Sequence, residues 1–174
     1  MCSRQTARIG ELGPVTTGRT PPSSRPECFG EEIPFITPTD MTGTRTVTSP
    51  QRYLSEDGVD LLRKCVVQDG VAVSCIGWQM GKALLVREAC VTNQQINTVV
   101  PEREDVDLLY LYYNLSSRRE EIFRLGAGGS RTPILNKSAF SQLEIELPPL
   151  PEQRHVADIL GTLDDKIELN RRMN

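Results

Sequence analysis

The stretch LPPLPEQRHVADILGTLDDKIELNRRMN (147–174) decides how this sequence divides. Pro148, Pro149 and Pro151 stiffen its entry, and Pro151 suits a first helical turn, where a missing N–H costs nothing. From there Val156, Leu160, Leu163 and Ile167 follow the four, three, four alternation of a coiled-coil seam, which continues to Asn170 and Asn174. A helix from Glu152 to Asn174 makes a rod of roughly 34 Å. Composition allows two placements: a helix folded back on its own domain, or a projecting helix that needs a second one. The prolines before it and the charge on its other faces favour projection. Residues 1–147 are therefore expected to form one domain, and 148–174 a proline hinge with the start of a helical interface.

Upstream, TTGRTPPSSRPE (16–27) is a loop by composition. EIPFITPTDM (32–41) holds a short strand, and YLSEDGVDLLRK (53–64) a short helix with Ser55 as N-cap and Leu61–Leu62 on its buried side. DGVAVSCIG (69–77) alternates Val71, Val73 and Cys75 inward as a half-buried strand. GKALLVREACV (81–91) is its expected hairpin partner, and QINTVVP (95–101) ends another strand. A helix from about Asp105 to Leu125 should carry Leu108, Leu109, Tyr112 and Leu115 on one face and stop at GAGG (126–129). LEIEL (143–147) alternates as a last strand. The class is α+β, with mixed small β-sheets and two or three helices before the projecting one.

The chain has 174 residues, 38% hydrophobic and 25% charged, enough for one core with an appendage. No apolar run approaches the roughly 20 residues that span a bilayer. MCSRQTARIGELG lacks a signal peptide's apolar stretch, so a cytoplasmic location is expected. Cys2, Cys28, Cys65, Cys75 and Cys90 form no C-x-x-C pair and are expected as reduced thiols without zinc. A net charge of −3 argues mildly against a phosphate-binding footprint. Basic residues are nonetheless concentrated locally: Arg4, Arg8, Arg19 and Arg25 near the start, and Arg118, Arg119, Arg124, Arg131 and Lys137 later. His155 is the only histidine, no G-x-x-x-x-G-K-[ST] occurs and no metal-ligand spacing appears. No catalytic or metal-ligating residue is assigned. Asp164 and Asp165 suit a solvated helix face.

The closing stretch resembles the hinge and conserved spacer helix of the specificity subunit of type I restriction–modification enzymes. Upstream segments agree in order: IGELGPVTTGRTPPSS (9–24) resembles the family's opening strand and loop, IPFITPTDM (33–41) its next strand, and SCIGWQMGKALLV (74–86) its glycine hairpin. CVTNQQINTVVP (90–101) and GGSRTPILNKSAFSQLEIELPPLPEQ (128–153) continue the likeness into the hinge. The resemblance implies a non-catalytic DNA-recognition component. In such subunits two target recognition domains, each followed by a long helix, read the halves of a split site. This sequence carries one such domain and the beginning of one helix, which implies one half-site. The implied partners are double-stranded DNA, the methyltransferase subunit and, indirectly, the restriction subunit, with a weak homodimer through the helix and no membrane. No cofactor is implied for this chain; S-adenosylmethionine, ATP and Mg belong to the partner subunits. The runner-up is a truncated or silent specificity cassette that acts only through helix-mediated assembly.

Arg, Lys and side-chain amides are the residue types that hold phosphates and read base edges. Asn93, Gln94 and Gln95 stand together after a strand, although such amides serve loop backbone equally well. Arg19 and Thr20 lie on the first loop and suit a phosphate. Trp78, Gln79 and Lys82 occupy the expected hairpin tip, with Lys82 a phosphate ligand and Trp78 either partial core or a base wedge. Arg131 follows flexible backbone in GAGGSRTP.

Overall fold

GVAVS (70–74) lies at the centre of the fold because all five of its residues are buried. The computed structural model describes residues 5–128 and 132–173. In chain order the first elements are β1 (Gln5–Arg8), α1 (Ile9–Leu12), β2 (Val15–Thr17), β3 (Phe29–Gly30), β4 (Ile33–Ile36), β5 (Arg52–Leu54), α2 (Glu56–Leu61) and β6 (Val66–Val67). There follow β7 (Gly70–Ser74), β8 (Ala83–Val86), β9 (Cys90–Thr92), β10 (Ile96–Val99), α3 (Leu108–Ser117), α4 (Arg119–Gly126), α5 (Lys137–Ser141), β11 (Glu144–Leu147) and α6 (Leu150–Met173). The architecture is α+β.

Among the described residues three sheets carry the fold: a two-stranded β1–β11 pair, a four-stranded sheet in the order β2-β10-β7-β8, and a five-stranded sheet in the order β3-β5-β4-β9-β6. Val71, Val73 and Cys75 face one apolar cluster, with Leu111, Leu115, Ile122 and Phe140 from the helices. Ala72 faces the other way, joining Leu84, Val86 and Ile96 against Ile36, Val67 and Cys90 of the five-stranded sheet. A third cluster, Phe35, Leu54, Leu62 and Val91, fills that sheet's far side. Side chains on one strand alternate between faces, so β7 serves two cores at once. The expected half-buried strand is thus buried on both sides, the pattern of an inner layer.

Other expectations shift for local reasons. GKALLVREACV does not run as one partner of β7. Only Ala83–Val86 pairs with it, and Cys90–Thr92 crosses to the second sheet. Ser55 caps α2 as expected, accepting from the Gly58 amide, but Leu61 is exposed while Leu62 is buried. The single helix over 105–125 is two helices. Asp107 caps the first by accepting from the Tyr110 amide, and the break falls at Arg118. There the guanidinium leaves the helix surface to donate to the Glu144 carbonyl at 2.7 Å and to both carboxylate oxygens of Glu121. Leu108 and Leu109 are half-buried, and the buried face is Leu111, Tyr112 and Leu115.

The long helix both docks and projects. Gln153 is fully buried; its Oε1 accepts from the Asp107 amide at 2.9 Å, and its Nε2 donates to the Asp105 and Pro148 carbonyls at 2.8 Å each. Ala157 and Gly161 are small enough for α6 to lie close to α3. One turn further, Tyr113 donates to Asp164 at 2.9 Å and Arg45 to Asp165 at 2.8 Å. Gln153, Ala157, Gly161 and Asp164 therefore make the face turned to the domain. Val156 and Leu160 sit half-buried at its margin, while Ile159, Leu163 and Ile167 remain about half exposed.

Replacing Gln153 by Leu leaves one amide and two carbonyls without their partner at a buried site, where each such group costs about 1–3 kcal/mol. Urea unfolding of Gln153→Leu is expected to show a loss of about 3 kcal/mol. Gln153→Glu should lose at least as much, because its carboxylate faces the two carbonyls that the amide N–H groups now satisfy.

Candidate nucleic-acid interface

β2, β10 and β7 end together. In their antiparallel register Asn97 lies opposite Thr17 on one side, and Ile96 opposite Ser74 on the other. The segment after β2, the turn before β10 and the segment after β7 therefore leave the four-stranded sheet at one end. Backbone bonds hold them there: Gly18 N–H to the Ile96 carbonyl at 3.1 Å, Arg19 N–H to the Thr92 carbonyl at 2.9 Å, and Cys75 N–H to the Gln95 carbonyl at 2.7 Å. Three sequence-distant loops thus form one surface.

Within it, the amides of TNQQ divide by role. Asn93 is buried, its Oδ1 accepts from the Gln95 amide at 3.1 Å, and its Nδ2 donates to Gln95 Oε1 at 3.2 Å. These two side chains close their own turn. Gln94 is exposed, and its Oε1 accepts from the Thr20 hydroxyl at 2.6 Å. That bond fastens the first loop to the amide turn and holds Arg19, also exposed, beside it.

The hairpin between β7 and β8 turns on two left-handed glycines, Gly77 at φ 78° and Gly81 at φ 81°. Met80 points inward and is fully buried, while Trp78 points outward and is 79% exposed. The indole stacks on Phe123 of α4, with ring centroids 6.0 Å apart and planes at 28°. Gln79 is half-buried at the tip. Lys82 departs from expectation: its ammonium donates to the Met41 carbonyl at 2.8 Å, pinning the 41–47 segment rather than standing free. Arg131 lies outside the described residues.

Sequence reasoning missed Arg119 and Phe123, which reach this end from α4. Arg119 packs directly on Gly81, where an added methyl would lie 2.6 Å from the arginine carbonyl oxygen. The only signal was the basic run around 118–124. Among the described residues neither Arg19 nor Arg119 has an ion-pair partner, whereas Arg25, Arg103 and Arg118 are neutralised by Glu27, Asp105 and Glu121. Such a surface, with unpaired guanidinium groups, an exposed amide and an aromatic face, can hold phosphates and contact bases. Burial pushes the Cys75 thiol up to about 11 and the Cys90 thiol up to about 12, so both remain protonated at neutral pH. Among the described residues no group of His, Cys, Asp and Glu could hold a metal ion, and no helix is long and apolar enough to cross a membrane.

Residues 4–174 match the family model described as the type I restriction modification DNA specificity domain. The chain is 31% identical over 172 residues to the type I restriction enzyme HindI specificity subunit of Haemophilus influenzae, covering 95% of this chain and 37% of that protein. It is 28% identical over 170 residues to the MjaIX specificity subunit of Methanocaldococcus jannaschii, covering 96% and 39%. The chain thus spans well under half the length of these relatives. Its fold is similar to a chain from a type I R-M system solved for its complex assembly, with a TM-score of 0.74 at 21% identity over 98% of this chain and 40% of that one. It is also similar to the HsdS subunit from Thermoanaerobacter tengcongensis, with a TM-score of 0.67 at 20% identity over 98% and 39%.

The two hairpin glycines give a paired test of how this surface is built. Gly77→Ala meets open space and bears only the left-handed backbone penalty, roughly 1–2 kcal/mol. Gly81→Ala bears the same penalty and also drives a methyl into the Arg119 carbonyl, so it should cost roughly 1–2 kcal/mol more. Chemical denaturation of both variants measures the difference.

Proposed function

The chain belongs to the type I restriction modification DNA specificity domain family, and we propose that it is a non-catalytic reader of one half of a bipartite double-stranded DNA target. What supports this reading is the convergence of three loops at one end of the four-stranded sheet, with Arg19 and Thr20 on the first, Gln94 on the second, and Trp78 on the third, against which Arg119 packs at Gly81. Guanidinium groups there hold phosphates and set register, and the amide and aromatic groups face base edges. Chemistry is left to a methyltransferase subunit, which supplies S-adenosylmethionine binding, and to a restriction subunit, which supplies ATP and Mg chemistry and is reached indirectly.

Helix α6 serves assembly. Its docked face belongs to the domain, while Ile159, Leu163 and Ile167, each close to half exposed at 50%, 51% and 48%, form an adjoining apolar stripe. Burying one such side chain is worth roughly 1.5–3 kcal/mol. An antiparallel second copy covers the stripe in a weak dimer and places two reading surfaces on one assembly. The methyltransferase subunit covers the remaining faces.

DNA affinity is expected to be modest and strongly salt-dependent. With about three phosphate contacts, log K falls with log salt at a slope near −3. Arg19→Ala and Arg119→Ala should each flatten that slope by roughly one unit, whereas Lys82→Ala, whose ammonium is bound to Met41, should leave it nearly unchanged. Slopes unaltered in both arginine variants would remove this end of the sheet as the DNA face.

Self-association should depend on the stripe rather than on the docked face. Ile159→Asp combined with Leu163→Asp is expected to leave the domain folded, abolish the concentration-dependent dimer in sedimentation and weaken methyltransferase binding. A double variant that associates like the parent places the interface elsewhere. Leu160→Asp is the poorer probe, since Leu160 borders the face turned to the domain and its loss also disturbs α6 docking.

A further inference from the structure

Trp78 is the only tryptophan in the chain and, among the described residues, the most exposed large apolar side chain. An indole left 79% in water at the tip of a hairpin contributes little to the core, and the neighbouring Met80 already anchors that tip. The turn is nevertheless built to hold it. Met80 N–H donates to the Gly77 carbonyl at 3.1 Å, Gly81 N–H to the Ser74 carbonyl at 2.8 Å, and Gly77 N–H to the Pro133 carbonyl at 2.9 Å. Phe123 backs one face of the ring and leaves the other side open. The result is an aromatic plate held at the tip of the β7–β8 hairpin.

Charge selects its occupant. Arg119 packs against Gly81 at the base of the same turn, and Arg19 lies on the loop after β2, which leaves the same end of the sheet two strands across. Neither arginine is neutralised by a described acidic side chain. An aromatic tip beside an unpaired cation suits a polyanion with apolar surface inside its charged rails. Duplex DNA has that form, and its major groove presents apolar surface in the thymine methyl groups. We infer that Trp78 is a specificity-determining residue, laid by the β7–β8 hairpin against base edges of duplex DNA. This inference rests on the DNA-reading function proposed above and adds the group that reads apolar base surface, such as thymine methyls.

The test uses the full chain and duplexes enriched from a random-sequence pool by repeated selection on the parent. Because Trp78 is the sole tryptophan, its emission reports this one position. On binding, the emission should shift to shorter wavelength and lose access to acrylamide. Trp78→Ala should bind the enriched duplexes about tenfold more weakly, the scale of losing one base-pair preference in a duplex site, with an unchanged urea midpoint. Trp78→Phe should keep most of the affinity. Selection repeated on Trp78→Ala should relax the preference at one or two adjacent base pairs while keeping the others. Binding with unchanged emission overturns the inference and leaves the DNA-reading function standing, as does an unchanged consensus for Trp78→Ala at any affinity. A Trp78→Ala variant that loses only methyltransferase docking overturns it too, assigning the plate to a protein partner. If the parent enriches no sequence, the DNA-reading function falls and this inference falls with it.

Discussion

The buried amide of Gln153 holds the two parts of this molecule in one geometry. Its carbonyl oxygen satisfies the amide of the residue that caps α3, and its NH2 group satisfies the carbonyls of Asp105 and Pro148. A side chain able to donate twice and accept once is needed at that position, and no apolar residue substitutes without stranding buried groups. Because Gln153 stands in the first turn of α6, its position sets the direction in which the rest of the helix runs. Ala157 and Gly161 then permit close approach to α3, and the Tyr113–Asp164 and Arg45–Asp165 bonds fix the rotation about the helix axis. Which apolar residues face outward follows from that rotation.

That dependence explains what the seam pattern missed. The four, three, four spacing of Val156, Leu160, Leu163 and Ile167 identified an apolar stripe but not how it was shared between the domain and the outside. The face turned to the domain is made mostly of polar or small residues, Gln153, Ala157, Gly161 and Asp164, which no hydrophobic periodicity marks. The outer stripe gains Ile159 and yields part of Val156 and Leu160 to the domain. The helix folds back on the domain along one face, and the apolar residues of an adjoining face stay half exposed.

Local signals elsewhere were legible where local chemistry decides structure. Ser55 capped its helix, LEIEL alternated as an edge strand, and the glycines of the β7–β8 turn took the left-handed conformations that a tight hairpin needs. Long-range chemistry was not legible. Nothing near Arg118 in sequence announces that its guanidinium would reach the Glu144 carbonyl, and Lys82 gave no sign that Met41 would bind its ammonium. The same limit applies to the candidate interface. Asn93 and Gln95 look identical to Gln94 in sequence, and only their mutual bonds show that two of the three amides are occupied by their own turn.

The pairing of β1 with β11 has a mechanical consequence. Their antiparallel register sets Gln5 opposite Leu147, so the chain enters the domain and departs toward α6 at the same end of one ladder. Tension applied between these two points peels the ladder open one rung at a time instead of shearing all its hydrogen bonds together. Zippers of this kind resist little force. The Gln153 anchorage lies immediately beyond Leu147 on the load path, and it diverts tension carried by the long helix into α3 and the central core. Tension carried by the long helix thus reaches the central core before the weakest seam of the sheet has to bear it.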